Sequence, residues 1–131
     1  MQTFDQSAVS DAAPEEVWKL LYDPARFPEW WAGVGSVRTG GDAGDYTMFP
    51  DGYPDFPMPQ SLQASQENGI VQISCLVSDL RFDWCLRPDG TGTQISVHVA
   101  IPDSEAHRLD GQRDVISQSL RRLADLAAAQ P

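Results

Sequence analysis

The stretch GTQISVHVAIPDSEAHRLDGQRDVISQSLRRLADLAAAQ, residues 92–130, changes its period once, and that change decides the fold. Thr93, Ile95, Val97, Val99 and Ile101 alternate with Gln94, Ser96, His98 and Ala100, the spacing of a strand with one buried face. Past Pro102, Asp103 and Ser104 the spacing turns helical. Leu109, Ile116, Leu120, Leu123 and Ala127 make an apolar stripe, with Asp114, Gln118, Arg121, Arg122 and Asp125 on its flanks or opposite side. A strand face and a helix stripe must cover each other, or a partner, to leave water. A curved antiparallel sheet around such a helix leaves a cavity between them, and that cavity is the expected functional site. Gly111 leaves the continuity of the helix open, since it costs about 1 kcal/mol of helix stability relative to alanine.

Upstream of this stretch the chain reads as an antiparallel meander: Ser61 to Glu67, Ile70 to Val77, Phe82 to Arg87 and Gln94 to Ile101. Asn68 and Gly69 are the strongest two-residue hairpin signal, and Pro88, Asp89 and Gly90 mark another turn. A turn centred on Asp79 and Leu80 sets Val77 opposite Phe82, Cys75 opposite Trp84 and Ile73 opposite Leu86. A turn centred on Asp89 and Gly90 sets Trp84 opposite Ile95 and Phe82 opposite Val97. Both registers give one inner face: Val71, Ile73, Cys75, Val77, Phe82, Trp84, Leu86, Ile95, Val97 and Val99. Cys85 then points outward and Cys75 inward, which disfavours a disulfide between them. His98 falls on the outer face. The Ser61–Glu67 strand is polar and is expected near an edge.

The N-terminal third opens with a strand, Thr3 to Ser10. Pro14, Glu15 and Glu16 suit the first turn of a helix, with Val17, Leu20 and Leu21 on one face and Trp18 and Tyr22 on the next. Asp23 and Pro24 end it and start a short second helix, Pro24 to about Trp31, carrying Phe27, Trp30 and Trp31. Ser36 to Thr39 is a short strand and Gly40 to Gly44 a turn. Tyr46 to Phe49 has strand character, but Pro50, Pro54, Pro57 and Pro59 argue against regular strand from 50 to 59. This aromatic, proline-rich segment reads two ways: a flap over something apolar, or a loop folded onto the core edge.

A chain of 131 residues with 41% hydrophobic composition and four Trp predicts one folded domain, residues 1–131, rather than disorder. Nine basic against nineteen acidic residues leave a net charge of −10, which disfavours nucleic acid and anionic membranes as partners. The charge reads as solubility, not as a ligand signal. No apolar run approaches the roughly 18 residues that span a bilayer, so no membrane insertion is expected. Met1 to Asp11 lacks the pattern of a secretory leader, and with two cysteines the expectation is reduced thiols in a cytoplasm. The cysteines and the two histidines, His98 and His107, have no metal-ligand spacing, so neither metal nor other cofactor is expected.

The run from Ala13 through Pro14, Glu15, Glu16, Val17 and Trp18 to Asp23, Pro24, Pro28, Trp30 and Trp31 resembles the opening of the SRPBCC superfamily. This START-like or Bet v 1-like group includes proteins named polyketide cyclase/dehydrase. The turn at Asp89 to Thr93 and the terminal amphipathic helix are similar too, and the likeness extends from Phe4 to Ala127. The resemblance implies an α+β helix-grip fold of order βααββββββα, a curved antiparallel sheet around a long C-terminal helix with a hydrophobic cavity between. It implies a lipid, polyketide or aromatic ligand, and carries no universal catalytic motif. The Pro- and aromatic-rich stretch from Tyr46 to Pro59 departs from the family's usual third strand and hairpin.

The inner face offers little chemistry. Cys75 is its one reactive group, and with no cationic or histidine partner in view its thiol is expected to stay protonated and inert. Asp51, Tyr53 and Asp55 are candidate polar groups at a cavity mouth, with plain solvation as the alternative. Gly33, Val34 and Gly35 are not a phosphate loop, because no later Gly or helix follows. Aromatic linings suit apolar ligands, and equally a plain core. The expected lining is Trp31, Tyr46, Phe49, Phe56, Cys75, Phe82, Trp84, Ile95, Val97, Ile116 and Leu120. Three functions compete. One is a binding or carrier protein for a small hydrophobic molecule, its cavity closed by the Tyr46–Met58 loop. Another is an enzyme of the aromatase/cyclase or hydratase kind. The third is a protein-interaction module of the chaperone-activator kind. A monomer or a homodimer fits each.

Overall fold

Each change of period in the sequence becomes an element of a computed structural model that describes residues 1–40 and 44–129. The strands are β1 (Gln2–Ser10), β2 (Val34–Thr39), β3 (Tyr46–Pro50), β4 (Met58–Ser65), β5 (Ile70–Cys75), β6 (Arg81–Asp89) and β7 (Gly92–Ile101). Helix α1 (Pro14–Leu21) follows β1, and α2 (Leu109–Ala129) ends the described chain. Short 3₁₀ turns, Pro24–Glu29 and Asp103–Arg108, precede β2 and α2. The turn read over Gly40 to Gly44 includes residues 41–43, which lie outside the described residues, as does Gln130.

The seven strands form one antiparallel sheet in the order β1-β7-β6-β5-β4-β3-β2. The first strand therefore lies beside the last, and every other neighbour is consecutive. Helix α2 packs against β1 and α1 and runs unbroken through Gly111. It buries Ile116, Ser119, Leu120, Leu123, Ala124 and Ala127. This is a helix-grip fold of the Bet v 1-like kind, with the expected element order.

Local chemistry explains the helix starts. Pro14 sits at the first position of α1, with Glu15 and Glu16 at the positive end of its dipole and Lys19 in its last turn. Asp23 caps the following 3₁₀ turn, accepting the Ala25 N–H at 3.1 Å. That turn ends at Glu29, so Trp30 and Trp31 lie just past it rather than inside a helix.

Several turn and strand assignments differ from the sequence reading. Ile73 pairs with Phe82 and Val71 with Trp84, four residues along from the expected register. The cause is a wider β5–β6 loop, in which Asp79 takes a left-handed φ of 61° and donates to the Cys75 carbonyl at 2.9 Å. Val77 is consequently 56% exposed instead of facing in. Trp84 likewise pairs with Val97 and not Ile95. Both shifts are even, so the other side chains keep their faces. Ser65 pairs with Ile70, so the β4–β5 turn holds four residues, not two. Gly69 adopts φ 66° there, and a Cβ on it would meet the Leu86 carbonyl oxygen at 2.7 Å. Finally, β4 lies between β3 and β5 rather than at an edge, and Pro50 and Pro59 belong to strands, confining the irregular segment to 51–57.

The core is rich in aromatic rings in edge-to-face or offset contact. Trp30 and Trp84, both fully buried, meet at 5.3 Å, and Trp31 meets Phe82 at 5.1 Å and Trp84 at 5.4 Å. Trp30 Nε1 donates to the Leu20 carbonyl at 3.0 Å, fixing the segment after α1 against that helix. Side-chain hydroxyls tie distant elements together. Ser10 Oγ donates to the Ala124 carbonyl at 2.7 Å, and Thr93 Oγ1 to the Ala12 carbonyl at 2.8 Å. Ser119 Oγ accepts the Ala32 N–H at 2.9 Å and donates to the Val115 carbonyl at 2.6 Å.

Candidate functional site

Because α2 leans on the β1 side of the sheet, strands β3 to β6 are left to be covered by the Trp30–Gly33 segment and the first turns of α2. They are not covered completely. A cleft of about 210 Å³ remains between them. One wall is the sheet, with Tyr46, Met48 and Pro50 of β3, Met58 and Gln60 of β4, Cys75 of β5 and Phe82 of β6. Ser78 and Leu80 of the β5–β6 loop extend it. The opposite wall is Trp31 to Val34, and Arg108, Gln112 and Val115 close the helix side.

Most of this lining is apolar, and the polar exceptions cluster. Tyr46 pairs with Gln60 and Gln60 with Cys75, so the three stand side by side across β3, β4 and β5. All three are at most 6% exposed, and Ser78 beside them is 7% exposed. Gln60 Nε2 donates to the Met58 carbonyl at 3.1 Å. Burial alone would push the Cys75 thiol up. Hydrogen bonding from the Ser78 side chain and backbone, the Val77 backbone and the Gln60 side chain outweighs that, and the thiol lies below its ordinary value. The groups acting on it are the Ser78 hydroxyl, backbone N–H groups and the Gln60 amide, with no histidine or cation among them. Burial, with Cys75 adding to it, pushes the Tyr46 phenol far above its ordinary value, so it stays a protonated donor. On the helix side Gln112 Oε1 is buried without a hydrogen-bond partner. Arg108, at the rim, is engaged by Glu105 at 2.6 Å.

Of the residues expected to line a cavity, the structure brings together Trp31, Tyr46, Cys75 and Phe82. Trp84, Ile95, Val97, Ile116 and Leu120 face the same interior but lie deeper, 0–2% exposed in the packed core rather than on the cleft wall. Phe49 is on the outer face, where the Arg38 guanidinium lies 5.5 Å from its ring centroid. Phe56 is 55% and Tyr53 67% exposed, so the 51–57 segment does not close over the cleft; its flanks, Pro50 and Met58, form the rim. Asp51 and Asp55 are exposed on that segment. His98 faces outward, as expected, 2.8 Å from Asp5, and His107 is exposed. Cys75 and Cys85 are both free thiols, one buried and one half-buried. Among the described residues no three His, Cys, Asp or Glu side chains cluster so as to hold a metal ion, and no helix is long and apolar enough to cross a membrane.

Reading apolar residues alone missed the polar part of the wall. Gln60 has the parity of buried Leu62, and Gln112 stands one helical turn before Ile116 on the buried stripe of α2. A polar residue at a core position was the available signal in both cases.

The chain thus has a helix-grip fold with an open cleft between sheet and helix. It belongs to the family described as polyketide cyclase / dehydrase and lipid transport, which matches residues 1–128. Protein XoxI from Bacillus cereus has a similar structure, with a TM-score of 0.81, 14% identity, and coverage of 98% of this chain and 97% of that one. The di-domain ARO/CYC BexL from the BE-7585A biosynthetic pathway aligns over 95% of this chain and 46% of its own, with a TM-score of 0.77 and 14% identity. Ara h 8.0201 aligns over 98% of this chain and 99% of its own, with a TM-score of 0.70 and 13% identity. Among curated proteins, none matches in sequence.

Proposed function

We propose that this protein binds a small, largely apolar molecule in the cleft between Trp31, Phe82 and the first turns of α2. The observation that carries the reading is an aromatic-walled void where the same fold could have packed side chains. Its size sharpens the ligand class. A void of about 150 Å³ can hold benzene, and drug-sized ligands occupy about 300–1,000 Å³. A cleft of about 210 Å³ holds a single ring with a short substituent, and a multi-ring polyketide or a lipid chain would extend out through its open mouth.

Val115 supplies the test, because it lines the cleft while remaining only half-buried. Val115→Arg puts a charge into the void without removing core volume. Titration with a small aromatic probe, followed by Trp fluorescence, is expected to show at least about a tenfold loss of affinity with unchanged circular dichroism. Equal affinity in variant and parent would remove the cleft as the site.

A second reading, an enzyme of the cyclase or hydratase kind, is favoured by the Tyr46–Gln60–Cys75 row. A phenol held protonated and a thiol with a lowered pKa offer a proton donor and a nucleophile facing the same void. Turnover of a carbonyl substrate that disappears in both Tyr46→Phe and Cys75→Ser would support it; binding without turnover leaves the carrier reading.

A further inference from the structure

Among the described residues three buried side-chain atoms lack a hydrogen-bond partner: Asp83 Oδ1, Trp84 Nε1 and Gln112 Oε1. Asp83 has the Arg81 guanidinium 3.5 Å away, and Trp84 is fully buried in the packed core. Gln112 alone of the three lines the cleft. Its side chain is half-buried, and it is the acceptor end of the amide that is shut off from water. Tyr46, Gln60, Ser78 and Arg108 share the cleft with it, and no donor on them is bonded to Oε1. Gln60 instead donates to the Met58 carbonyl, and Arg108 is held by Glu105. A buried acceptor left unpaired is costly, so a guest that donates to it gains over one that does not. The last torsion of a glutamine is broad, and a turn of the amide brings Oε1 to face the void without moving the helix.

We infer that the cleft selects neutral one-ring molecules bearing a hydroxyl group, which donates a hydrogen bond to Gln112 Oε1. The inference rests on the proposed binding role and names the ligand chemistry within it. The other donors and acceptors a ring could carry fit less well. An ammonium would lose its hydration in a largely apolar cleft with the Arg108 guanidinium on its lining. A carboxylic acid is ionised at neutral pH and has no proton left to give. A ketone or an ether brings a second acceptor to the first. A phenolic hydroxyl, with a pKa of about 10, arrives with its proton in place.

The compounds p-cresol and p-xylene test it, since they share shape and differ by a hydroxyl against a methyl group. Binding of each to the full chain and to Gln112→Met, which keeps the length of the side chain and removes its amide, is measured by Trp fluorescence and calorimetry. Comparing the ratio of the two dissociation constants between parent and variant cancels the difference in hydration between the ligands. The expected result is that the ratio shifts about tenfold against p-cresol in Gln112→Met. An unchanged ratio overturns the inference while leaving the binding site in place. A second pair, p-methylanisole and p-ethyltoluene, differs by an ether oxygen that accepts and cannot donate. Should the variant shift that ratio against p-methylanisole as strongly, the amide serves the guest as a donor and the inference fails. Failure of both p-cresol and p-xylene to bind the parent chain overturns the binding role itself, and this inference with it. The side-chain carbonyl resonance of Gln112 in ¹³C-labelled protein needs no variant. It is expected further downfield with p-cresol bound than with p-xylene, and an equal position with both sinks the claim.

Discussion

The two ends of the interior treat buried polar groups in opposite ways. Where β1 and β7 meet the C-terminal half of α2, Ser10 and Thr93 are at most 2% exposed; the Ser10 hydroxyl is bonded to the Ala124 carbonyl of α2 and that of Thr93 to the Ala12 carbonyl between β1 and α1. Where β3, β4 and β5 face the first turns of α2, Tyr46, Gln60, Cys75 and Gln112 gather round a void, and Gln112 Oε1 has no partner. Buried polar groups in proteins are nearly always satisfied, which makes an unpartnered one on a cleft wall a position that a guest could satisfy. The first end holds the fold together; the second is where the proposed ligand would sit. Trp84 lies in the packed interior near this boundary, fully buried, and its Nε1 also lacks a partner.

The contrast can be broken by substitution. Trp84→Ala should be the most damaging change, lowering unfolding free energy by about 3–5 kcal/mol in a denaturant titration, because a large void replaces an indole packed against Trp30 and Trp31. A loss below about 1 kcal/mol would mean that this region is as open as the cleft. Ser10→Ala comes next: it removes the tie to the Ala124 carbonyl, leaves the buried Ala12 N–H without its acceptor, and is expected to cost about 1–3 kcal/mol by thermal or chemical unfolding. The smallest effect on stability belongs to Cys75, where the readout is chemical. Its thiol is an acid whose pKa is lowered, so the thiolate is present at lower pH than for an ordinary thiol. Alkylation by iodoacetamide, followed by peptide mass spectrometry, should rise with pH and reach half its limit below the ordinary thiol midpoint. A midpoint at or above that of a free cysteine peptide contradicts the hydrogen-bonded thiolate.

How much of this was legible follows from what parity can and cannot carry. Alternation assigned Ile73, Phe82, Trp84, Val97 and Val99 to one face, and even errors of register left that assignment intact. Turn lengths were not recoverable, because the β5–β6 loop depends on Asp79 adopting a left-handed backbone that local composition does not demand. At the site, parity and not aromatic character decides which side chains face the cleft. Tyr46 and Met48 share a face and both line the cleft, while Phe49, one residue on, turns outward. Phe56 sits in a segment with no period, so nothing in the sequence could orient it. Whether an inward residue is core or wall is a non-local property, set by how far α2 and the Trp30–Gly33 segment reach across the sheet.

Ser119 gives that reach a mechanical meaning. One hydroxyl holds the Ala32 amide and the Val115 carbonyl, and both residues belong to the cleft lining, one from each side of the mouth. The mouth and the helix are thereby pinned to a common point. A guest too wide for the resting aperture has to draw the pin or carry α2 outward with it. On the proposed binding role, admission of a guest then bears on Ser119 while its recognition bears on the polar side chains of the cleft wall, so the two are set by different side chains.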